Sequence, residues 1–190
     1  MHLSKLGYYA DFVVYPLSIL GLLATLVLQI ERSQAGALRP VTVIGLCVLG
    51  AAIWTLFEYV LHRHVLHRVP ILHDMHEVHH ADPSAFVGTP SWLSLSFFVA
   101  LAFVPLCYLF GFQPAGALTA GLMFGYLCYV GVHHISHHWR LTPGTMLYAL
   151  KHRHARHHFA KTPGNFGVTT RFWDRVFRTS LDGSSKARRS

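Results

Sequence analysis

Four stretches of this chain, 12–30, 41–57, 92–112 and 115–132, contain no charged residue. Each approaches the ~20 residues that a helix needs to cross a hydrocarbon layer. Inside lipid the backbone has no water to bond with, so an apolar run of this length satisfies its own donors and acceptors by coiling into a helix. The expected fold class is therefore all-α, an integral membrane bundle of four transmembrane helices. The first run is longer than the apolar core of a secretory leader. Asp11 precedes it, and Glu31 and Arg32 follow where small residues would mark a cleavage site. It reads as an anchor.

Of 190 residues, 52% are hydrophobic, too many for an ordinary soluble domain. A formal charge of +8 would suit a nucleic-acid binder, but the distribution of the basic residues does not. Eleven of the 16 lysines and arginines come after the fourth run, whereas the first connection offers only Arg32 and Arg39. The positive-inside rule then places the C-terminus in the cytoplasm. With four crossings, the N-terminus and the 63–91 connection lie there too. The expected location is a bacterial inner membrane, crossed several times, with no nucleic acid as partner.

Smaller signals fit that frame. "GFQPAG" makes the third connection a tight outer turn. Cys47, Cys107 and Cys128 lie inside runs without paired spacing and read as small buried apolar residues. Gly121 and Gly125 form a small-xxx-small pair of the kind that lets helices touch. Trp92, Trp139, Phe172 and Trp173 read as residues at headgroup level, the last two within a basic aromatic segment suited to lying on the interface. The closing "SSKARRS" reads as a disordered basic tail near anionic lipid, so the folded domain is expected to span 1–180 and the tail 181–190.

Histidine is the anomaly. Fifteen of the 16 fall at 62–80, 133–138 and 152–158, and in the topology above all three groups lie at or beyond cytoplasmic ends of the runs. That topology used hydropathy and basic residues alone, so the convergence is independent of it. "HEVHH" (His76, His79, His80) and "HARHH" (His154, His157, His158) place imidazoles at i, i+3 and i+4, on one face of a helix. "HHISH" adds His133 and His137 at i and i+4. In "LHRHVLH", His62 and His67 are about 140° apart round an α-helix, whereas His64 and His67 share a face. Helix geometry alone therefore prefers His64. Convergent neutral imidazoles suit zinc, copper, nickel or iron. Eight to ten of them exceed the need of one ion, so two metals are expected. His2, His64, His73, His134, His138 and His152, taken singly, read as ordinary polar residues.

Taken in order, "HRHVLH", "HEVHH", "HHISH" and "HARHH" resemble the histidine boxes of the fatty acid hydroxylase and sterol desaturase superfamily of membrane enzymes. The segment "NFGVTTRFWDRVFRTS" resembles the stretch after the last box there, and the likeness runs over 58–180. "LKHRHARHHF" and "FGVTTRFWD" bring it nearest to the fatty acid 2-hydroxylase branch. The resemblance implies a membrane helical bundle with a cytosolic histidine-rich helical cap holding a dimetal centre. It implies two iron ions, with zinc able to replace them in purified samples, and as ligands His62, His67, His76, His79, His80, His133, His137, His154, His157 and His158. It thus overrides the helix-face preference for His64. Partners for the ligands' free ring nitrogens are expected among Glu58, Asp74, Glu77 and Asp174, and Glu77 is also a candidate ligand.

The activity so implied is dioxygen-dependent hydroxylation of a C–H bond in a fatty acyl chain or acyl lipid, with membrane lipid as substrate. Carotenoid or sterol-type hydroxylation or desaturation is the alternative within the superfamily. A non-enzymatic metal-binding membrane protein is the alternative outside it, and a zinc hydrolase fits less well because three protein ligands suffice there. Two departures stand out. The 67–76 connection is shorter than in eukaryotic fatty acid hydroxylases. No "HPGG" haem motif, dinucleotide fingerprint or ferredoxin-like cysteine pattern occurs, so electrons are expected from a separate donor, a ferredoxin or a b-type cytochrome with its reductase.

Overall fold

The computed structural model describes residues 2–32 and 36–182; of the tail expected at 181–190, all but Leu181 and Asp182 lies outside the described residues. Its helices are α1 (Lys5–Tyr9), α2 (Asp11–Arg32), α3 (Pro40–Val60), α4 (Pro70–Ala81), α5 (Ser91–Phe97), α6 (Val104–Phe110), α7 (Phe112–His138), α8 (Met146–Phe159) and α9 (Phe172–Val176). Two π-helical turns interrupt the series, Leu61–Leu66 after α3 and Phe98–Phe103 between α5 and α6. Among the described residues there is no strand, only an isolated antiparallel bridge between His2 and Val87. The expected all-α architecture is the one observed, with four helices long and apolar enough to cross a membrane: Lys5–Arg32, Pro40–Leu66, Ser91–Phe110 and Phe112–His138.

Local chemistry sets the boundaries. Thr145 caps α8 by accepting from the Tyr148 amide at 3.2 Å, and Pro70 opens α4, where its missing N–H costs nothing. Gly111, at φ +82°, ends α6 and lets the chain reverse at once into α7, giving the tight turn expected there. Pro105 cannot donate to the preceding turn, and the helix is widened to the π form just before it. The second and fourth spans, each of 27 residues, outrun their apolar stretches, and the surplus carries His62, His133 and His137.

Two compact units divide the chain: Met1–Trp54 with Phe86–Leu127, and Thr55–Ala85 with Cys128–Ser190. In the first, α7 is the central helix. Ala115, Ala117, Ala120, Leu122 and Met123 are buried along it. Its small residues allow backbone contact with α3. A Cβ on Gly121 would stand 2.0 Å from the Cys47 carbonyl oxygen, one on Gly50 2.2 Å from that of Leu118, and one on Gly125 2.5 Å from the Trp54 Cβ. The glycine pair read from the sequence is thus a packing device. Asp11 ties three spans together, accepting from Ser91 Oγ at 2.5 Å and Tyr126 Oη at 2.7 Å, while Tyr15 Oη donates to Ser94 Oγ at 2.8 Å.

In the second unit Tyr59, Leu150, Phe166 and Val168 are buried, together with Asn165 and Asp174, which are fully enclosed. Two expectations change. None of the three cysteines is buried as expected: Cys47 and Cys107 are half-buried and Cys128 is exposed. Trp173 turns inward, its indole N–H donating to Thr55 Oγ1 at 2.9 Å, whereas Trp92, Trp139 and Phe172 are exposed.

Replacing Gly121 with leucine should prevent α3 and α7 from meeting. Overpacking of this kind costs about 1–3 kcal/mol or more. Gly45→Ala, where a Cβ would meet nothing within 4 Å, should behave as wild type. Size-exclusion profiles in detergent check this: loss of the monodisperse peak for Gly121→Leu alone is expected.

Candidate metal centre

The histidines that the spacing singled out come together in the second unit. His62, His67, His76, His80 and His157 form one group, and His79, His137, His154 and His158 form another; within each, one ring nitrogen per residue lies within 4.8 Å of all the others. His133 borders the second group, its Nε2 3.0 Å from that of His79. The groups abut where His80 and His158 stack with ring centroids 4.2 Å apart.

Helical phase explains how the two boxes divide their imidazoles. On α4 the i, i+4 pair His76 and His80 serves the first group, and His79 crosses to the second. On α8 the assignment is reversed, with His154 and His158 in the second group and His157 in the first. Each box thus gives two histidines to one focus and one to the other. The remaining places are filled from helix ends: His62 and His67 on one side, His137 with His133 beside it on the other.

The π turn at Leu61–Leu66 resolves the question of His62 against His64. In a π turn the hydrogen bond runs from i to i+5, so residues five apart come into register. The rings of His62 and His67 accordingly stack at 5.2 Å and 26°. His64 points away and is exposed. The preference for His64 drawn from ideal helix geometry is therefore corrected by the widened turn.

Protonation states are set by the neighbours. His62 Nδ1 lies 2.6 Å from the Phe166 carbonyl oxygen and His157 Nδ1 2.9 Å from that of Gly164. A carbonyl only accepts, so in both rings Nδ1 carries the proton and Nε2 is left with its lone pair. Those lone pairs point at other nitrogens: His62 Nε2 faces His76 Nε2 at 3.1 Å, and His157 Nε2 faces His67 Nε2 at 3.1 Å. His76 Nε2 also faces His80 Nε2 at 3.1 Å, and one N–H cannot be aimed at both neighbours. His154 Nε2 is likewise shared between His137 at 2.8 Å and His158 at 3.1 Å. A cation at each focus satisfies every one of these nitrogens at once, so the donor set fits a pair of transition-metal positions.

Burial keeps the imidazoles neutral and ready to ligate. It pushes His67 and His79 down to about 4, in each case with His80 adding to the effect. It pushes His157 down to about 3 against the opposing pull of the Gly164 carbonyl. His76, His154 and His158 are lowered by the same cause.

Of the four carboxylates expected nearby, two support the site through an intermediary. Glu58 accepts from the Val168 and Thr169 amides at 2.6 and 2.9 Å and from Thr169 Oγ1 at 2.6 Å. Asp174 accepts from the Phe166 and Gly167 amides at 2.9 and 3.0 Å and from Thr179 Oγ1 at 2.7 Å. Together they grip four successive amides of the loop whose Phe166 carbonyl holds His62. The other two lie elsewhere. Asp74 and Glu77 are exposed and approach His73 at 3.5 and 3.8 Å, so Glu77 joins neither group.

Three supporting residues carry no mark in the sequence pattern. Arg153 is buried; it donates to Asp174 at 3.1 Å and pairs with Asp182. Asn165, in the left-handed region at φ +55°, donates to the Arg153 carbonyl and accepts from the Leu181 amide. Gly164 packs where a Cβ would stand 2.5 Å from the Thr179 carbonyl oxygen. Glycines bracketing an Asn-Phe pair were the available signal.

A model of the family described as fatty acid hydroxylase matches residues 47–179, a segment holding every histidine of both groups. The chain belongs to the fatty acid hydroxylase family. The rat fatty acid 2-hydroxylase is 38% identical over 150 residues, covering 73% of this chain and 40% of that protein. A dihydroceramide fatty acyl 2-hydroxylase of Arabidopsis thaliana is 32% identical over 162 residues, covering 77% and 65%. The solved structure of full-length Scs7p, with only its hydroxylase domain visible, superposes with a TM-score of 0.77 at 26% identity, covering 94% of this chain and 70% of that one. The chain thus spans about two-fifths of the length of the rat relative. Family membership, four spans and two histidine clusters together describe an integral membrane protein with a metal centre.

The lowered histidines make a prediction for this hydroxylase-family chain without metal. Unfolded, His67 and His79 titrate near their ordinary 6.5; folded, they stay neutral to about 4. Between those values the unfolded chain binds protons that the folded one refuses, so stability should fall steadily as pH drops from 6.5 toward 4. Thermal melts of chelator-treated protein across that range check it. A flat profile would contradict neutral buried imidazoles.

Proposed function

We propose that the protein is a dioxygen-dependent di-iron hydroxylase that places a hydroxyl group on a fatty acyl chain, at C2 as the names of its relatives indicate. The observation that carries this reading is the pair of adjacent nitrogen-lined foci, one of five and one of four histidines. His62, His67, His76, His80 and His157 would hold one iron, and His79, His137, His154 and His158 with His133 the other. Two irons in an all-imidazole setting supply the capacity to use dioxygen on an unactivated C–H bond.

The balance is R–H + O2 + 2e− + 2H+ → R–OH + H2O. The chain's own residues orient and protect. The carbonyls of Phe166 and Gly164 keep His62 and His157 in the ligating tautomer, Glu58 and Asp174 hold the loop that carries the Phe166 carbonyl, and burial keeps bulk water from His62, His76, His79, His154 and His157. The two electrons would come from a separate ferredoxin or b-type cytochrome. The concentration of basic residues after the fourth span favours a cytoplasmic site.

Cells expressing wild type or His157→Ala, grown under labelled dioxygen, provide the test. Fatty acids released from their lipids should carry one labelled oxygen at C2 in the wild type only. Label at another carbon would overturn the position of attack. No label, from protein shown to hold two irons and supplied with reductant, would overturn the hydroxylase reading in favour of a metal-binding role.

A further inference from the structure

The two foci receive similar numbers of imidazoles, yet their surroundings differ. In the first group, two ligating rings are fixed from behind by backbone carbonyls, His62 by Phe166 and His157 by Gly164. Those carbonyls are themselves immobilised. Asp174 and Glu58 take up the amides of 166–169, Asn165 donates to the Arg153 carbonyl, and the Asn165 amide donates to the Thr179 carbonyl at 2.9 Å. The whole 164–169 segment is thereby a rigid acceptor array facing the first focus.

The second group has the opposite character. Nδ1 of His79, His154 and His158 is buried, and among the described residues none finds a hydrogen-bond partner. When Nε2 ligates a metal, Nδ1 must carry the proton, so these three rings of the focus would bury an N–H with nothing among the described residues to receive it. Ligation there leaves a desolvation penalty in place, and nothing selects the ligating tautomer beforehand.

We infer that the two metal positions are inequivalent: the focus of His62, His67, His76, His80 and His157 is a retained site, and the focus of His79, His137, His154 and His158 is an exchangeable one. This deepens the two-metal reading above and rests on it. Loss of a hydrogen-bond partner behind a ligating histidine weakens metal binding by roughly 10- to 100-fold. With two such partners on one side and three unmet N–H groups on the other, release from the second focus should be at least roughly tenfold faster. Asp174 and Glu58 are then positioning residues, acting on the metal only through the loop they hold.

The experiment uses the full chain in detergent, loaded with cobalt(II) and challenged with excess chelator, with retained metal counted over time by mass spectrometry of the element. Two ions should leave in two phases of one ion each. His158→Ala should speed the fast phase and leave the slow one unchanged, and His62→Ala should do the reverse. Asp174→Asn should speed the slow phase alone while the loaded protein still takes up two ions. Should that variant fold poorly, the wild-type trace and the two histidine variants decide. Two ions leaving in a single phase, or the fast phase answering to His62→Ala, would overturn the inequivalence and leave the two-metal reading standing. Uptake of fewer than two ions by the wild type would overturn that reading and the inequivalence with it.

Discussion

Ten neutral imidazoles held with their Nε2 lone pairs converging are a source of strain in any folded chain. Lone pairs that face one another near 3 Å repel unless a proton or a cation stands between them, and at His62 and His157 the protons are drawn away behind the rings. The rest of the second unit can be understood as the framework that keeps such a cluster assembled. α4 and α8 each carry three histidines in helical register. The second and fourth spans are prolonged past their apolar stretches to add His62, His133 and His137, and His67 follows directly after the second. Satisfying the convergence with metal turns that strain into stabilisation, because ligands already placed lose little freedom on binding.

The chain after the last box completes this arrangement. Arg153, buried, is neutralised by the enclosed Asp174 and the partly exposed Asp182, and removing Asp174 would take away its one fully buried counter-charge. Asp174 uses its remaining oxygen capacity on the amides of Phe166 and Gly167. One enclosed carboxylate therefore joins α8, α9 and the loop that sets the tautomers of His62 and His157. This is why the conspicuous "FWD" of the sequence matters through its aspartate more than through its aromatic pair.

Much of this was legible beforehand, because hydropathy and histidine spacing are linear properties. The four spans and the grouping of boxes at one set of helix ends come from counting. What could not be read depends on departures from ideal geometry or on contacts distant in sequence. The π turn at Leu61–Leu66 has no single residue that announces it, so a 3.6-residue wheel favoured His64 over His62. Glu77 lies inside "HEVHH", yet its position on α4 turns it toward His73 and solvent. Arg153 lies between Lys151 and Arg156, which stay half-exposed, and its own burial depends on partners distant in sequence, Asp174 and Asp182. Trp173 looked interfacial until Thr55, more than a hundred residues earlier, supplied its acceptor.

All else rests on the two clusters being two metal positions. Anomalous diffraction from crystals of the metal-loaded protein, recorded on both sides of the iron edge, addresses it directly. Two peaks are expected, one within bonding distance of the Nε2 atoms of His62, His67, His76, His80 and His157, the other of His79, His137, His154 and His158. A single peak, or two peaks with either set of nitrogens left unligated, would contradict the two-metal centre.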